Sequence, residues 1–237
     1  MLSRMTLARE ENMEYRYETH LHTSPVSRCA TATVADSLRF YKSSGYDGVF
    51  ITNHFLDGNI NFDKSRPYRD KIEFYFSDAE EGERIGKQIG LKVFTGVEMS
   101  DRGTDFLVYG LSKLWYLSHP GIMDMPYREK LDFLRKSGAF VVQAHPYREA
   151  SYIDHIRLFP RSVDAVEVLN GMNGKETYDL TALYAEHYGL PGVAGSDNHN
   201  GSKFPVASLA GIVTDEPILS VADYRRIVKS GKYRIFG

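Results

Sequence analysis

The feature that most constrains the fold is a regular alternation of short apolar segments with longer segments of helical spacing. Residues 47–54 contain the continuous apolar stretch Val49-Phe50-Ile51, which is typical of a strand buried on both faces. Residues 33–44 instead place apolar side chains at helical spacing and end before Gly45. Because short buried strands that alternate with helices pair in parallel through helical crossovers, the sequence predicts an α/β fold.

The same alternation continues along the whole chain. Strands are predicted at 15–22, 47–54, 91–99, 105–111, 139–145, 162–170, 191–196 and 207–214. Helices are predicted at 33–44, 70–89, 127–137, 174–188 and 221–229. A length of 237 residues suits one α/β barrel, and no linker-like change in composition divides the chain. We therefore predict a single catalytic domain over residues 13–237, preceded by a flexible extension over residues 1–12.

Composition excludes several classes of protein. A formal net charge of −2 and a pI near 6.5 argue against an extended nucleic-acid-binding surface. The single cysteine, Cys29, excludes a disulfide framework and suits a reducing compartment. No window approaches the roughly 18 apolar residues that a membrane span needs. We expect a cytoplasmic protein without a membrane partner, and the oligomeric state stays open.

Imidazole and carboxylate groups end most of the predicted strands. These residues are His20, His22, His54, Glu98, His145, Asp197 and His199. In a parallel barrel the carboxyl ends of all strands open on one face, so these side chains should converge there. A catalytic zinc ion needs only three protein ligands, and seven candidates exceed that number. The sequence therefore predicts a multinuclear metal site, with Glu98 as the bridging carboxylate.

Spacing supports shared ligation within each segment. On a strand, positions i and i+2 point to the same side, so His20 and His22 can reach one cation together. Ligand sets of this composition accept zinc, iron or manganese, so the identity of the metal stays open. Three other histidines do not end a strand and are left outside the site: His119, His155 and His187.

Several short motifs resemble the successive motifs of the PHP (polymerase and histidinol phosphatase) family, in the same order and with similar spacing. They are His20-Leu21-His22-Thr23, Ile51-Thr52-Asn53-His54, Gly96-Val97-Glu98, Ala144-His145-Pro146 and Gly195-Ser196-Asp197-Asn198-His199, with residues 166–171 resembling a further strand. The resemblance implies a distorted seven-stranded (β/α) barrel with a centre of two or three divalent metals. Most members are phosphoesterases, and others are domains of bacterial DNA polymerases.

The resemblance also implies a division of ligands among the metals. One metal would be bound by His20, His22, Glu98 and Asp197. Glu98 would bridge to a second metal shared with His145, and a third would be held by His54 and His199.

This chain departs from the family pattern at three places. Members often have an Asp or His six or seven residues after the His-x-His pair, where this chain has Arg28 and Cys29. The third metal would then lack a ligand or take an unusual one, and we interpret Cys29 as a packed side chain. Asp105 is the nearest candidate for a ligand that usually follows the bridging Glu, and Asn53 replaces a common Asp.

A pair of divalent cations predicts hydrolytic chemistry, because it supplies hydroxide at neutral pH and neutralises phosphate oxygens. A guanidinium group matches phosphate in bidentate fashion. We expect Arg148 to hold the phosphate, with Arg102 and Lys203 as alternatives. The predicted catalytic residues are thus Glu98, Asp197 and Arg148, and no general acid is assigned.

The expected function is hydrolysis of a small phosphomonoester, of the nucleotide or amino-alcohol phosphate type. An amidohydrolase-like enzyme that cleaves a non-phosphate bond and a non-catalytic metal-binding module are the alternatives. Substrate choice should depend on the loops at 56–70, 112–126 and 200–206. Aromatic side chains near these loops are expected to pack rather than to stack on a base: Phe55, Phe62, Tyr68, Trp115 and Phe204.

Overall fold

The structure is a computed structural model that describes residues 13–237, so the extension predicted over residues 1–12 lies outside it. The strands are β1 (Tyr15–Leu21), β2 (Gly48–Ile51), β3 (Lys92–Asp101), β4 (Thr104–Tyr109), β5 (Phe140–Ala144), β6 (Ala165–Asn170), β7 (Gly192–Gly195), β8 (Gly211–Thr214) and β9 (Arg234–Phe236). The α-helices are α1 (Val34–Ser43), α2 (Tyr68–Ile89), α3 (Lys113–Ser118), α4 (Tyr127–Lys136), α5 (Lys175–Tyr188) and α6 (Val221–Ser230). Every predicted strand and helix is present, whereas α3 and β9 were not predicted.

The strands form one nine-stranded sheet with the order β7-β6-β5-β4-β3-β2-β1-β8-β9. The sheet is nearly closed, because β1 and β7 also contact each other. Thr19 in β1 donates a hydrogen bond of 2.8 Å to the carbonyl of Ala194, and the Asp197 amide donates one of 2.9 Å to the His20 carbonyl. The α/β barrel-like fold is confirmed, but the expected count of seven strands is wrong, since β8 and β9 extend the sheet beyond β1.

The expectation of uniformly parallel pairing is also wrong, because β4 runs antiparallel to both β3 and β5. The loop between β3 and β4 is Arg102-Gly103, and both residues have positive φ, 51° and 81°. Such a two-residue loop matches the twist of an antiparallel hairpin. Since β4 points the opposite way, Asp105 near its start pairs with Ala144 at the end of β5. The start of β4, with Asp105, therefore lies at the same edge of the barrel as the ends of the parallel strands.

The two ends of the barrel differ in chemistry. At the end away from Asp105, the buried Tyr224 of α6 packs against Phe50, Tyr109 and Phe140, with ring centroids 4.7, 5.3 and 5.5 Å apart. These aromatic contacts fill that end with apolar side chains. The clustered histidine, aspartate and glutamate side chains lie at the other end. Within residues 13–237, no helix combines the length and apolar content that crossing a bilayer requires.

The close approach of β7 to β1 depends on Gly195. A Cβ atom at this position would lie 2.6 Å from the Cβ of His20 and 2.9 Å from Oε1 of Glu167. Neither neighbour can move freely, because both are fully buried. Glycine here lets the barrel close and brings the segment after β7 beside the His-x-His segment of β1.

Candidate metal centre

The polar end of the barrel gathers all eight predicted metal ligands. Four groups of three residues have donor atoms within 4.8 Å of one another: His20, His22 and Glu98; His20, His145 and Asp197; Glu98, Asp105 and His145; and His22, His54 and His199. The groups share members, so they form one continuous cluster. Their donors are imidazole nitrogens and carboxylate oxygens, which suit divalent transition metals.

The protonation of His20 and His22 is set by their hydrogen-bond partners. Nδ1 of His20 lies 2.9 Å from a carboxylate oxygen of Glu167, which accepts a proton. Nδ1 of His22 lies 3.0 Å from the Ser27 hydroxyl, which itself donates to Oδ1 of Asn53 and so accepts from His22. The two Nε2 atoms face each other at 3.1 Å, and each carries a lone pair when its ring is neutral. Two ligands of a tetrahedral zinc ion lie about 3.3 Å apart, so this pair fits a shared cation.

Asn53 is itself held in one orientation. Its side-chain amide donates hydrogen bonds to Asp78 (3.0 Å) and to the Thr23 hydroxyl (2.9 Å). Its Oδ1 is therefore directed toward Ser27 and accepts from that hydroxyl. The Ser27 oxygen also accepts from the backbone N–H of His54, at 3.0 Å. Asn53, which replaces the Asp that is common in the family, therefore orients the Ser27 hydroxyl. Through that hydroxyl it affects both candidate ligands, His22 and His54.

Glu98 lies at the middle of the cluster. Its Oε1 is 3.2 Å from Nε2 of His20 and 3.4 Å from Nε2 of His145, and its Oε2 is 3.4 Å from Nε2 of His22 and 2.6 Å from Nδ1 of His54. Although Oε2 and the His54 Nδ1 are close, their geometry leaves both without a hydrogen bond. Burial opposes ionisation of Glu98, but His54, His22 and His20 hold the pKa of its carboxyl well below the usual range.

Two candidate ligands have strained backbones. His145 and Asp197 have φ values of 25° and 55°, a region that residues other than glycine seldom occupy. The His145 amide donates to Glu167 at 3.1 Å. The turn at Asp197 places its Oδ1 3.4 Å from Nε2 of His20 and 3.3 Å from Nε2 of His22. Strain of this kind is concentrated at functional sites, where the surrounding contacts maintain it.

Asp105 has two neighbours of different kinds. Its Oδ2 lies 3.9 Å from Nε2 of His145, and it also accepts a hydrogen bond of 2.8 Å from the guanidinium of Arg148. The Nε atom of Arg148 is buried and has no hydrogen-bond partner in the described part of the chain, so this guanidinium keeps an unused donor beside the cluster. Arg102 and Lys203, the alternative phosphate-holding residues, are exposed and do not line the same cavity.

The cluster opens into a cavity of about 490 Å³, whose wall includes Arg148 and Tyr152. The Arg148 guanidinium lies over the Tyr152 ring, 5.8 Å from its centroid. The five aromatic residues expected to pack do so: Phe55 and Phe204 are buried, and Phe62, Tyr68 and Trp115 pack against the core. Tyr152 was not predicted, because nothing in the sequence indicates that its loop turns toward the strand ends.

Cys29 is not the packed side chain that we expected. Its residue is exposed, and its Sγ lies 3.2 Å from Nε2 of His54 at the wall of the same cavity. Burial of the thiol opposes ionisation, but hydrogen bonds with His199 and His54 lower the pKa of Cys29 to about 6. Arg28, the other residue at this departure from the family pattern, is exposed.

Glu167 is the buried carboxylate that the sequence-based interpretation missed. It contacts His20 and the His145 amide, and it also accepts from Asn170 at 3.0 Å. A carboxylate that fixes a ligating imidazole is a common partner of metal sites. Its position between Val166 and Val168 of a buried strand is the signal that could have identified it, because an unpaired charge is seldom buried.

The histidines excluded from the cluster lie elsewhere. His119 donates to the Trp115 carbonyl at 2.7 Å and stacks on the Trp115 ring, with centroids 4.3 Å apart. His155 and His187 are exposed. None of the three belongs to a group of potential ligands among the described residues.

The charge of the cluster favours cations. Burial opposes protonation of His20, but Asp197, Glu167 and Glu98 raise its pKa well above the usual value. His145 shows the same direction of change, with its pKa raised by Glu98 against the effect of burial. Carboxylates that attract protons to these rings would attract a metal ion equally, so the buried residues fit a divalent metal.

Comparison with known proteins identifies the fold. No family model and no curated protein matches the chain. Among solved structures, a two-domain protein from Bacteroides vulgatus that contains a predicted PHP-like metal-dependent phosphoesterase matches 94% of this chain, with a TM-score of 0.69 and 14% identity. This chain spans 65% of that protein's length.

Two further solved structures have a similar fold. A predicted metal-dependent phosphoesterase from Bifidobacterium adolescentis matches 79% of this chain and 88% of its own, with a TM-score of 0.53 and 14% identity. An amidohydrolase from Chromobacterium violaceum, solved with bound sulfate, matches 93% of this chain and 97% of its own, with a TM-score of 0.53 and 14% identity.

The chain has a PHP-like fold. The resemblance that the motifs predicted is therefore confirmed at the level of the fold, despite the low identity. PHP-like neighbours and the clustered donors together indicate a metal-binding protein.

Proposed function

We propose that this protein is a metal-dependent hydrolase of small phosphomonoesters, with two or three divalent ions bound at the polar end of its barrel. The observation that best supports this proposal is the convergence of Nε2 of His20 and Nε2 of His22, which lie 3.1 Å apart, on the carboxylates of Glu98 and Asp197. Buried carboxylates this close to imidazole nitrogens need a cation beside them, and a divalent metal can supply that charge. Divalent ions bound here would activate water as a nucleophile and neutralise phosphate oxygens.

Each of the proposed metals would have its own set of ligands. His20, His22, Glu98 and Asp197 would hold the first metal, Glu98 with His145 and Asp105 the second, and His54 with His199 the third. Zinc, manganese and iron all suit these donors. Glu98 would bridge, because its two oxygens face different histidines.

Arg148 supplies the reason to prefer a phosphate ester. Its guanidinium lines the cavity beside the cluster, and its Nε has no hydrogen-bond partner among residues 13–237. A phosphate oxygen would satisfy this buried donor, whereas Asp105 holds the other side of the guanidinium at 2.8 Å. The sulfate bound by the fold relative from Chromobacterium violaceum is an oxyanion with the shape of phosphate.

The decisive experiment is hydrolysis of para-nitrophenyl phosphate by metal-stripped protein to which zinc, manganese or iron is added. We expect turnover that His20→Ala abolishes and that His187→Ala, an exposed histidine outside the cluster, leaves unchanged. Arg148→Ala should raise KM, and Arg148→Lys should recover part of the loss.

An amidohydrolase-like function is the second candidate, because one fold relative is an amidohydrolase and Arg148 already pairs with Asp105. Hydrolysis of para-nitroacetanilide without any phosphatase rate would favour it over the phosphoesterase. Absence of turnover on either substrate, with metal still bound, would indicate a non-catalytic metal-binding module.

A further inference from the structure

Where this chain departs from the family pattern, at Arg28 and Cys29, the Cys29 thiol is itself a potential metal ligand. Cys29, His54 and His199, hereafter the outer group, lie together at the mouth of the cluster and line one wall of its cavity. The Cys29 Sγ is 3.2 Å from Nε2 of His54. A thiolate and an imidazole bound to one tetrahedral zinc ion lie about 3.5 Å apart, so the observed separation suits a shared ion.

The loop of Cys29 is anchored on both sides of the outer group. The Thr31 amide donates to the His199 carbonyl at 2.8 Å, and the Arg28 amide donates to the Asn59 carbonyl at 2.9 Å. Ser27, two residues before Cys29, accepts from the backbone of His54 at 3.0 Å. These bonds tie the cysteine to the segments of both histidines, so its thiol is held beside the imidazoles without further rearrangement.

A second observation points to a cation at the outer group. Glu98 is 1% exposed, and its Oε2 has no hydrogen-bond partner among the residues that the structure describes, although it lies 2.6 Å from Nδ1 of His54. The rings of His22 and His199 stack beside it, with centroids 4.1 Å apart. Buried polar atoms in native proteins are satisfied by hydrogen bonds or by ions. A metal bound at Nε2 of His54, the nitrogen beside Cys29, would keep the ring proton on Nδ1, which is the nitrogen that faces this carboxylate.

We propose that Cys29 is a thiolate ligand of the outer metal, together with His54 and His199. The inference rests on the proposed function only in assuming a metal centre at this end of the barrel. Cys29 would replace the oxygen or nitrogen donor that family members use, and would complete the three protein ligands of a catalytic position. Because thiolate is a soft donor, the outer position should then favour zinc, cobalt or iron over manganese.

Cobalt spectroscopy on the metal-stripped protein tests this assignment. Added Co²⁺ should give a sulfur-to-cobalt charge-transfer band in the near ultraviolet, together with weaker visible d–d bands. Cys29→Ser should lose the charge-transfer band and keep the d–d bands, because the remaining ligands still bind cobalt. A wild-type spectrum with d–d bands and no charge-transfer band would overturn the proposal, as would a band that persists in Cys29→Ser.

Alkylation provides an independent measurement, since Cys29 is the only cysteine in the chain. Zinc should slow its reaction with iodoacetamide by about tenfold or more, because a metal-bound thiolate is a weaker nucleophile than a free one. His54→Ala should reduce this protection, and the exposed control His155→Ala should not. An alkylation rate that zinc leaves unchanged would contradict sulfur ligation.

These results are separable from the proposed activity. A charge-transfer band without any phosphatase rate would reject the phosphoesterase and retain the sulfur ligand. Phosphatase activity without the band would reject the ligand and retain the enzyme. Cys29→Asp gives a further contrast, since a carboxylate should lower the ratio of zinc to manganese affinity at this position.

Discussion

The inner and outer parts of the metal cluster differ in how firmly the protein holds them. The inner ligands are His20, His22, Glu98, His145 and Asp197, and none of their side chains is more than 9% exposed. In the outer group, the side chains of His54 and His199 are 16% and 17% exposed, and Cys29 is exposed. His20 and His22 of the inner part have buried partners for their Nδ1 atoms, Glu167 and Ser27, whereas all three side chains of the outer group line the cavity. Permanent metal binding is thus expected inside and exchange with solvent outside.

The largest effect should follow the loss of an inner ligand. Asp197→Asn removes a charge that lies within 3.4 Å of both His20 and His22. Because changes to partners of ligands already cost 10–100-fold in metal affinity, we expect a loss of at least about 100-fold. Metal content after dialysis measures it, with His187→Ala as the control. Retention of full metal content would show that the inner ligands are not the firm part of the cluster.

Glu167→Gln should have the next largest effect. The amide still accepts from His20, but the negative charge that strengthens its imidazole as a donor is lost. We expect zinc affinity to fall by about 10–100-fold, measured by competition with a coloured chelator. Glu186→Gln, on the exposed face of α5, is the matched control. An unchanged affinity would mean that Glu167 has only a structural role.

Ser27→Ala tests the connection between the two parts of the cluster. The hydroxyl accepts from Nδ1 of His22 in the inner part and from the amide of His54 in the outer group. Its removal should weaken metal binding at both positions by about tenfold, since both are then less well oriented. Two-step zinc titrations would resolve the positions, and Ser43→Ala on the exposed surface serves as control. A change confined to one step would show that the parts are independent.

The smallest effect is a pH dependence of stabilisation by metal. In the metal-free protein the pKa of His20 and of His145 is raised, so their protonation stabilises the fold at low pH and is lost as pH rises through those values. Bound metal replaces these protons. The increase in Tm on adding zinc should therefore grow as the pH rises above the unfolded histidine pKa of about 6.5. A constant increase measured by calorimetry would contradict a histidine-built centre.

Much of the fold and cluster could be predicted because strand ends carry unusual polar residues. His20, Glu98 and Asp197 interrupt apolar segments at places where only a barrel edge explains them. Strand direction could not be predicted, since the alternation of apolar residues is the same for parallel and antiparallel pairing. The position of Asp105 therefore became clear only from the hairpin that reverses β4.

The chemistry of single residues was harder to predict than the motifs. A lone cysteine in a loop is usually inert, and its contact with His54 depends on backbone bonds that no local pattern encodes. Glu167 was missed for a different reason: it lies inside a strand, between the apolar residues Val166 and Val168. Arg148 was predicted from its spacing after His145, yet its pairing with Asp105 joins residues that lie on separate strands or loops.

The closure of β7 on β1 has a consequence for how the protein is made. Thr19 and Ala194, which hydrogen-bond across this seam, are separated by 175 positions. During synthesis the first histidines emerge long before Asp197, so an early chain has metal donors without the carboxylate that completes their charge. Contacts of such long range form late and slow folding. Metal capture should accordingly be a late event of folding, after the segment that carries Asp197 has left the ribosome.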